Sequence, residues 1–314
     1  MAAGPSGPSG SGVPTPADVT AAARRIAGHT RRTPVLRAEV DGRPLVLKLE
    51  QLQRTGSFKF RGALNALLAT GGDTEVVTAS GGNHGLAVAT AAAVLGRPAT
   101  VYVPATVPAA KASRIEAAGA RLVRHGDTYA EAVTAATGHA HERGVPYLPA
   151  YEHQLVVAGQ GTCAAEAVAD EPDVDTVVVA VGGGGLAAGT VLGAGGRPVL
   201  AVEPEYSRCL YEALAVGRPV DVQPALAAGS VAASALGASR IGDIPFALLN
   251  APGVWSALVD DQQILAARDR LWEEFRLAVE PAGAVPFAAW LAGLVPGELP
   301  LLIVCGANAE WTAS

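Results

Sequence analysis

The chain has 314 residues, 50% of them hydrophobic and 17% charged, enough apolar material for a large buried core or for two lobes on one chain. Its formal charge of -6, from 23 basic and 29 acidic residues without a basic block, excludes a surface that tracks phosphodiester backbones, and nucleic acid with it. Cys163, Cys209 and Cys305 form no Cys-x-x-Cys pair and the apolar runs break short of the ~20 residues of a membrane span, so a soluble protein of a reducing, cytoplasmic compartment is expected.

Met1–Val13 is rich in Gly, Pro and Ser without a charged start or an apolar stretch, so residues 1–14 read as a disordered tail rather than a signal peptide. Thr15-Pro16-Ala17-Asp18 combines a capping hydroxyl, a proline at the first helical position and an acid in the first turn, which opens a helix to about Arg25. Leu45–Glu50 alternates as a strand does, and the periodicity of Ala63–Ala69 predicts a helix beginning near Lys59. That order puts the Lys59 amine at a sheet edge, where ligand crevices lie. Between Phe58 and Phe60 burial disfavours the ammonium form and leaves an amine able to condense with a carbonyl; a surface lysine on a first helical turn is the plain alternative.

Further on, Glu75–Ala79 is a short strand, Asn83–Leu95 a helix, Ala99–Val103 a strand, Pro108–Ala118 a helix, Arg121–Arg124 a strand and Thr128–Glu142 a helix. His139 and His141, two apart on the last of these, cannot share a face as metal ligands and are expected to face solvent. A helix near Gln160–Ala169, a strand at Thr176–Val181, the run Gly182–Gly185, a helix to about Leu192 and a strand at Pro198–Val202 repeat the rhythm. Arg218–Ser256 reads as loops and short strands, Asp260–Leu277 as an amphipathic helix, Pro281–Leu294 as an apolar one and Leu301–Val304 as a buried final strand. Strands alternating with helices imply βαβ units and an α/β fold with a parallel sheet. Gly182–Gly185 offers amides without side chains to an anion at a helix N-terminus, and its spacing is that of neither a dinucleotide fingerprint nor a triphosphate loop. A monoester phosphate suits it.

Ser57-Phe58-Lys59-Phe60-Arg61-Gly62, Ser80-Gly81-Gly82-Asn83-His84-Gly85, Gly159-Gln160-Gly161-Thr162, Gly182-Gly183-Gly184-Gly185-Leu186 and Cys305-Gly306-Ala307-Asn308 follow one another in a single order. Over about Thr33–Asn308 the chain resembles the pyridoxal-phosphate enzymes of the tryptophan-synthase-β type, fold type II, and most closely their serine/threonine dehydratases and serine racemases. The resemblance implies two lobes, each an open, twisted, mostly parallel sheet flanked by helices, with pyridoxal 5′-phosphate in the cleft between them. It assigns residues 75–152 to the small lobe and residues 15–74 and 153–314 to the large one. It further implies a homodimer acting on a small amino acid; because the last motif ends a few residues before Ser314, no appended regulatory domain is expected.

By the same resemblance Lys59 binds the cofactor's aldehyde and then takes the substrate's α-proton. Gly182, Gly183, Gly184, Gly185 and Leu186 hold the phosphate, Asn83 bonds the 3′ oxygen, and Cys305 faces the pyridine nitrogen as a weak, uncharged partner. The backbone of Ser80, Gly81, Gly82 and Asn83 cradles the substrate carboxylate while His84 positions that loop. Ser57 touches cofactor or substrate, and Tyr151 takes a pocket position tied to substrate choice.

Two departures bear on the chemistry. Gly81 stands where racemases carry a serine that reprotonates Cα from the face opposite the lysine. Elimination is therefore expected over racemisation, with β-replacement a further alternative on the same fold, and the missing side chain is expected to leave room for a bulkier substrate. Glu203 and Ser207 keep two positions of the family's divalent-metal site, but Cys209 replaces its aspartate, so no bound metal is expected. The reaction implied is α,β-elimination from L-serine, L-threonine or a related β-hydroxy amino acid, giving the 2-oxo acid and ammonia. A non-catalytic binding protein on the same fold is the reading of a different class.

Overall fold

The structure is a computed structural model that describes residues 12–223 and 229–308. Residues 1–11 of the expected tail lie outside them. Nine strands form two sheets among the described residues. The larger contains β1 (Val35–Val40), β2 (Arg43–Leu49), β6 (Thr176–Ala180), β7 (Val199–Pro204), β8 (Val254–Val259) and β9 (Pro300–Val304), in the order β1-β2-β9-β6-β7-β8. All its pairings are parallel except β1 with β2, a hairpin turned at Asp41-Gly42, whose φ values of 51° and 71° are those of a left-handed two-residue turn. The smaller sheet is parallel throughout, β3 (Val76–Ala79), β4 (Ala99–Val103) and β5 (Arg121–Arg124). This is the α/β architecture expected from the alternating elements.

Central strands of a parallel sheet are covered on both faces, and β6 and β9 are buried at every residue. The apolar helix α12 (Pro281–Leu291) packs on β6, β7, β8 and β9, with α11 (Asp261–Phe275) against it. On β6 and β7 also lies α7 (Gly185–Gly193), which packs against α6 (Gln154–Asp170); α6 in turn meets α1 (Pro16–Ile26) and α2 (Lys59–Thr70). At the edge of the sheet α8 (Cys209–Val216) lies against β8. The Gly159-Gln160-Gly161-Thr162 motif belongs to the helix packing. A Cβ at Gly159 would come within 2.7 Å of Gly62 Cα and one at Gly161 within 2.7 Å of the Gly189 carbonyl, so the motif lets three helices touch through their backbones. In the smaller sheet α5 (Tyr129–Arg143) contacts β3 and β4, and α3 (Asn83–Val94) packs on β4, on α2 and on α4 (Ala109–Ala117).

The structure alters several expectations. Helix α6 begins six residues earlier than Gln160, at Gln154, because His153 caps it through Nδ1, which accepts from Leu155 N at 3.2 Å. Within Arg218–Ser256 the described elements are the short helices α9 (Ala233–Leu236) and α10 (Asp243–Leu249) and the start of β8, rather than several short strands. His139 is half-buried: its Nδ1 lies 2.9 Å from Tyr102 Oη and its Nε2 3.6 Å from Glu75. Lys48, the polar member of an alternating strand, is fully buried and bonds Thr33 O at 2.7 Å and Glu166 at 2.5 Å. No helix among the described residues is long and apolar enough to cross a membrane.

Candidate active site

Every motif singled out by its chemistry except the α6 packing motif lies just beyond the carboxyl end of a parallel strand, the edge at which α/β sheets bind ligands. The chain leaves β2 and reaches Lys59, leaves β3 into Ser80–Asn83, leaves β6 into Gly182–Gly185 and leaves β9 into Cys305. Backbone bonds draw two of these ends together: Phe58 N donates to Cys305 O at 3.2 Å, Ala307 N to Gly56 O at 3.0 Å, and Ser57 forms an antiparallel bridge with Gly306.

Lys59 opens α2 with Phe58 and Phe60 buried on either side. Its Nζ donates to Ala150 O at 3.1 Å and lies 5.0 Å from the Phe58 ring centroid. Burial lowers its pKa from 10.5 to about 8, against the opposing pull of Cys305 and Glu280. Cys305 Sγ donates to Ala282 O across 3.4 Å, and burial raises the thiol so that it keeps its proton. His84 donates from Nε2 to Leu148 O at 3.0 Å, a bond to a carbonyl that leaves Nδ1 as a bare acceptor. Burial, with Lys59 nearby, lowers His84 to about 3, so the ring is neutral.

The Asn83 amide is tied at both ends. Its Nδ2 donates to Glu280 Oε1 at 2.7 Å and its Oδ1 accepts from Asn308 Nδ2 at 2.7 Å; Asn308 in turn accepts from Arg114. Ahead of it, Gly82 N donates to Ser80 Oγ at 3.2 Å. Gly81 does not leave open space, as the missing side chain had suggested. A Cβ there would sit 2.5 Å from Val107 Cγ2, so a neighbouring side chain of this chain fills the room.

The glycine turn is equally confined. Gly184 has φ +91° and a Cβ on it would meet Ile241 at 2.5 Å, while one on Gly183 would run into the Tyr151 ring. Tyr151 thus lies along the turn, next in sequence to the carbonyl that holds Lys59, and burial pushes its hydroxyl up to about 12. Leu186 is buried in the first turn of α7.

Residues 26–306 match the family described as pyridoxal-phosphate dependent enzyme. The chain belongs to that family. It is 33% identical over 307 residues to an L-threonine ammonia-lyase of Thermotoga maritima, covering 93% of this chain and 75% of the relative. A solved threonine deaminase from T.th. has a TM-score of 0.88 and 34% identity over 96% of this chain and 100% of that one. Maize serine racemase has a TM-score of 0.88 and 28% identity over 95% of each chain. The chain spans about half the length of the biosynthetic L-threonine dehydratases of Pasteurella multocida and Haemophilus influenzae that it also matches.

The residues present fit the family's cofactor. An amine of depressed pKa, a side-chain-free turn at the N-terminus of α7, and Ser57, whose Oγ is buried with no hydrogen-bond partner among the described residues, supply a carbonyl-reactive group, an anion cradle and an unused donor. Glu280 is the residue that reading the chain missed. Burial raises its pKa while the Asn83 amide opposes that, and it precedes Pro281 at the start of α12. A lone acid just before Pro281, at the head of an otherwise apolar helix, was the available signal.

Proposed function

We propose that the protein is a cytoplasmic pyridoxal-phosphate ammonia-lyase that converts L-serine, L-threonine or a related β-hydroxy amino acid to the 2-oxo acid and ammonia. It would act as a homodimer of two-lobed subunits, the small lobe at residues 75–152. The names of its relatives support this reaction class. What carries elimination over racemisation is the one-sidedness of the acid–base groups: Lys59 offers an amine, while position 81 has no hydroxyl and Val107 fills its space. Racemisation needs a second proton donor on the opposite face; elimination does not.

Bound pyridoxal phosphate supplies the electron sink that makes an α-proton removable. The rest is the work of the chain. Lys59 Nζ, positioned by Ala150 O, takes the proton from Cα, and its lowered pKa gives it a neutral fraction near neutral pH that an exposed lysine lacks. The amides of Gly182–Gly185 and Leu186 would orient the phosphate, and Cys305, uncharged and with its proton turned to Ala282 O, would face the pyridine nitrogen with a weakly accepting sulfur rather than a charge. Asn83, clamped by Glu280 and Asn308, keeps one amide N–H for the 3′ oxygen, and the Ser80–Asn83 backbone receives the substrate carboxylate. His84 is neutral and anchored to Leu148, which suits holding the loop. Ser57 and Tyr151 complete the walls.

The test is a product assay on the purified holoenzyme with L-serine and L-threonine, beside Lys59→Ala. Release of 2-oxo acid, with both turnover and the visible band of the lysine-bound cofactor lost in the variant, is the expected result. D-serine without pyruvate would reassign the protein to the racemase branch, and a Lys59→Ala protein that keeps band and turnover would refute the site.

A further inference from the structure

Behind the glycine turn a carboxyl and a thiol stand where the resemblance implies a divalent cation, at Glu203, Ser207 and position 209. The donors present do not fit such an ion. Each Glu203 oxygen is turned to the first turn of α8: Oε1 accepts from Leu210 N and Oε2 from Tyr211 N, each at 2.8 Å. Position 209 holds a soft sulfur in place of the hard oxygen that Mg²⁺ and Ca²⁺ prefer. That thiol is itself engaged, since Cys209 Sγ donates to Gly182 O at 3.3 Å and lies beside the Glu203 carboxyl, and Cys209 and Glu203 are almost wholly buried.

We propose that Cys209 is a positioning residue that braces the phosphate-binding turn without a metal, so that the holoenzyme is independent of divalent cations. The physical route runs through one peptide plane. The carbonyl of Gly182 and the N–H of Gly183 belong to the same trans peptide and point in opposite directions. Holding the oxygen against Cys209 therefore directs the Gly183 N–H to the side away from the thiol. A run of four glycines has more conformational freedom to lose than any other sequence, so a fixed point at its first residue matters most here. Glu203 holds the start of α8, and with it Cys209, in register with β7.

The inference rests on the assignment of the glycine turn to the cofactor phosphate, and the experiment separates the two. Pyridoxal phosphate and pyridoxal, which lacks the phosphate, are titrated into wild type, Cys209→Ala and Cys209→Ser, and the wild-type holoenzyme is dialysed against EDTA and then given Mg²⁺ or Ca²⁺. The expected result is that Cys209→Ala weakens pyridoxal phosphate about three- to tenfold, the range one hydrogen bond controls, while pyridoxal binding stays unchanged. Cys209→Ser recovers most of the loss, and chelation changes neither melting temperature nor cofactor absorbance. Equal weakening of both ligands in Cys209→Ala, or a loss on chelation that either cation reverses, overturns the proposal. Wild type that binds both ligands equally well would instead remove the phosphate assignment beneath it.

Discussion

Replacing Arg61 by methionine asks whether the lysine-bearing helix is held by an ionic anchor. Arg61 and Glu50 are buried together, with Nε to Oε2 at 2.8 Å and Nη2 to Oε1 at 2.7 Å; Nη1 reaches Glu166 at 3.1 Å and Thr162 at 3.3 Å. Lys48 on Glu166 completes two cations against two carboxylates. Methionine fills most of the volume but strands Glu50, whose carboxyl burial would raise and which Arg61 holds below its ordinary value of 4.5. Removing one partner of such a pair costs about 3–5 kcal/mol, because the remaining charge is buried without compensation. With an unfolding entropy of about 0.66 kcal/mol/K for a chain of 314 residues, the melting temperature should fall by about 5–8 °C. Thermal denaturation followed by circular dichroism measures this, and Arg61→Met with Glu50→Gln should recover part of the loss by removing the stranded charge. In wild type the stability lent by Glu50 is present above pH 4.5 and lost on acidification, and that loss should vanish in the double variant. A fall below about 1 °C, the size of a surface change, or a double variant no better than the single one, would refute the reasoning.

Other outcomes follow from the site. In the cofactor-free protein Lys59 gives up its proton near pH 8 and the unfolded chain near 10.5, so the unfolded chain holds more protons in between and stability should rise with pH across that window. Lys59→Met should lack this rise in denaturant titrations, and parallel slopes would contradict the lowered pKa. Gly81→Ser presses a Cβ against Val107 and should destabilise by about 1–3 kcal/mol without giving D-serine. Adding Val107→Ala should restore stability and allow D-serine to be found by chiral chromatography; its absence would mean that position 81 does not set the proton face. Ser57→Ala removes a hydroxyl with no partner among the described residues, so the cofactor-free protein should melt no lower while cofactor affinity falls about two- to tenfold. Unchanged affinity would show that Ser57 does not touch the cofactor.

The elements that could be read from the chain are those whose burial is uniform and whose ends carry their own punctuation. Thr176–Ala180 and Pro300–Val304 are buried throughout and almost wholly apolar, and Pro16 at the start of α1 marks its own boundary. Strand β1 escaped because Arg37 and Glu39 give a half-exposed edge strand little apolar pattern, although Asp41-Gly42 signalled its hairpin. The early start of α6 escaped because a histidine capped it and because Gly159 and Gly161, which look like breakers, sit inside the helix to let other backbones approach. The burial of Lys48 was not legible for a related reason: alternation reports which face a side chain takes, but in a sheet covered on both faces neither face is wet.

The site divides along the same line. Lys59, the glycine turn and Cys305 could be named from sequence as candidates because their chemistry dictates residue type; the glycine turn and Cys305 follow β6 and β9 almost at once, and Lys59 opens the helix that comes after β2. The clamp on Asn83 could not, since its two partners lie 197 and 225 residues away and meet it only once the crossovers have stacked the strand ends. An asparagine side chain has a donor end and an acceptor end, and which way it faces is decided by what waits at each. Glu280 accepts only and Asn308 presents its donor, so the Asn83 amide can take one orientation, with its second N–H left over. The residue types that do chemistry are thus local information, while the orientation that makes them effective is a property of the assembled sheet edge. That is why a carboxylate with no motif around it, Glu280, is part of the candidate site through its bond to Asn83 and its charge near Lys59.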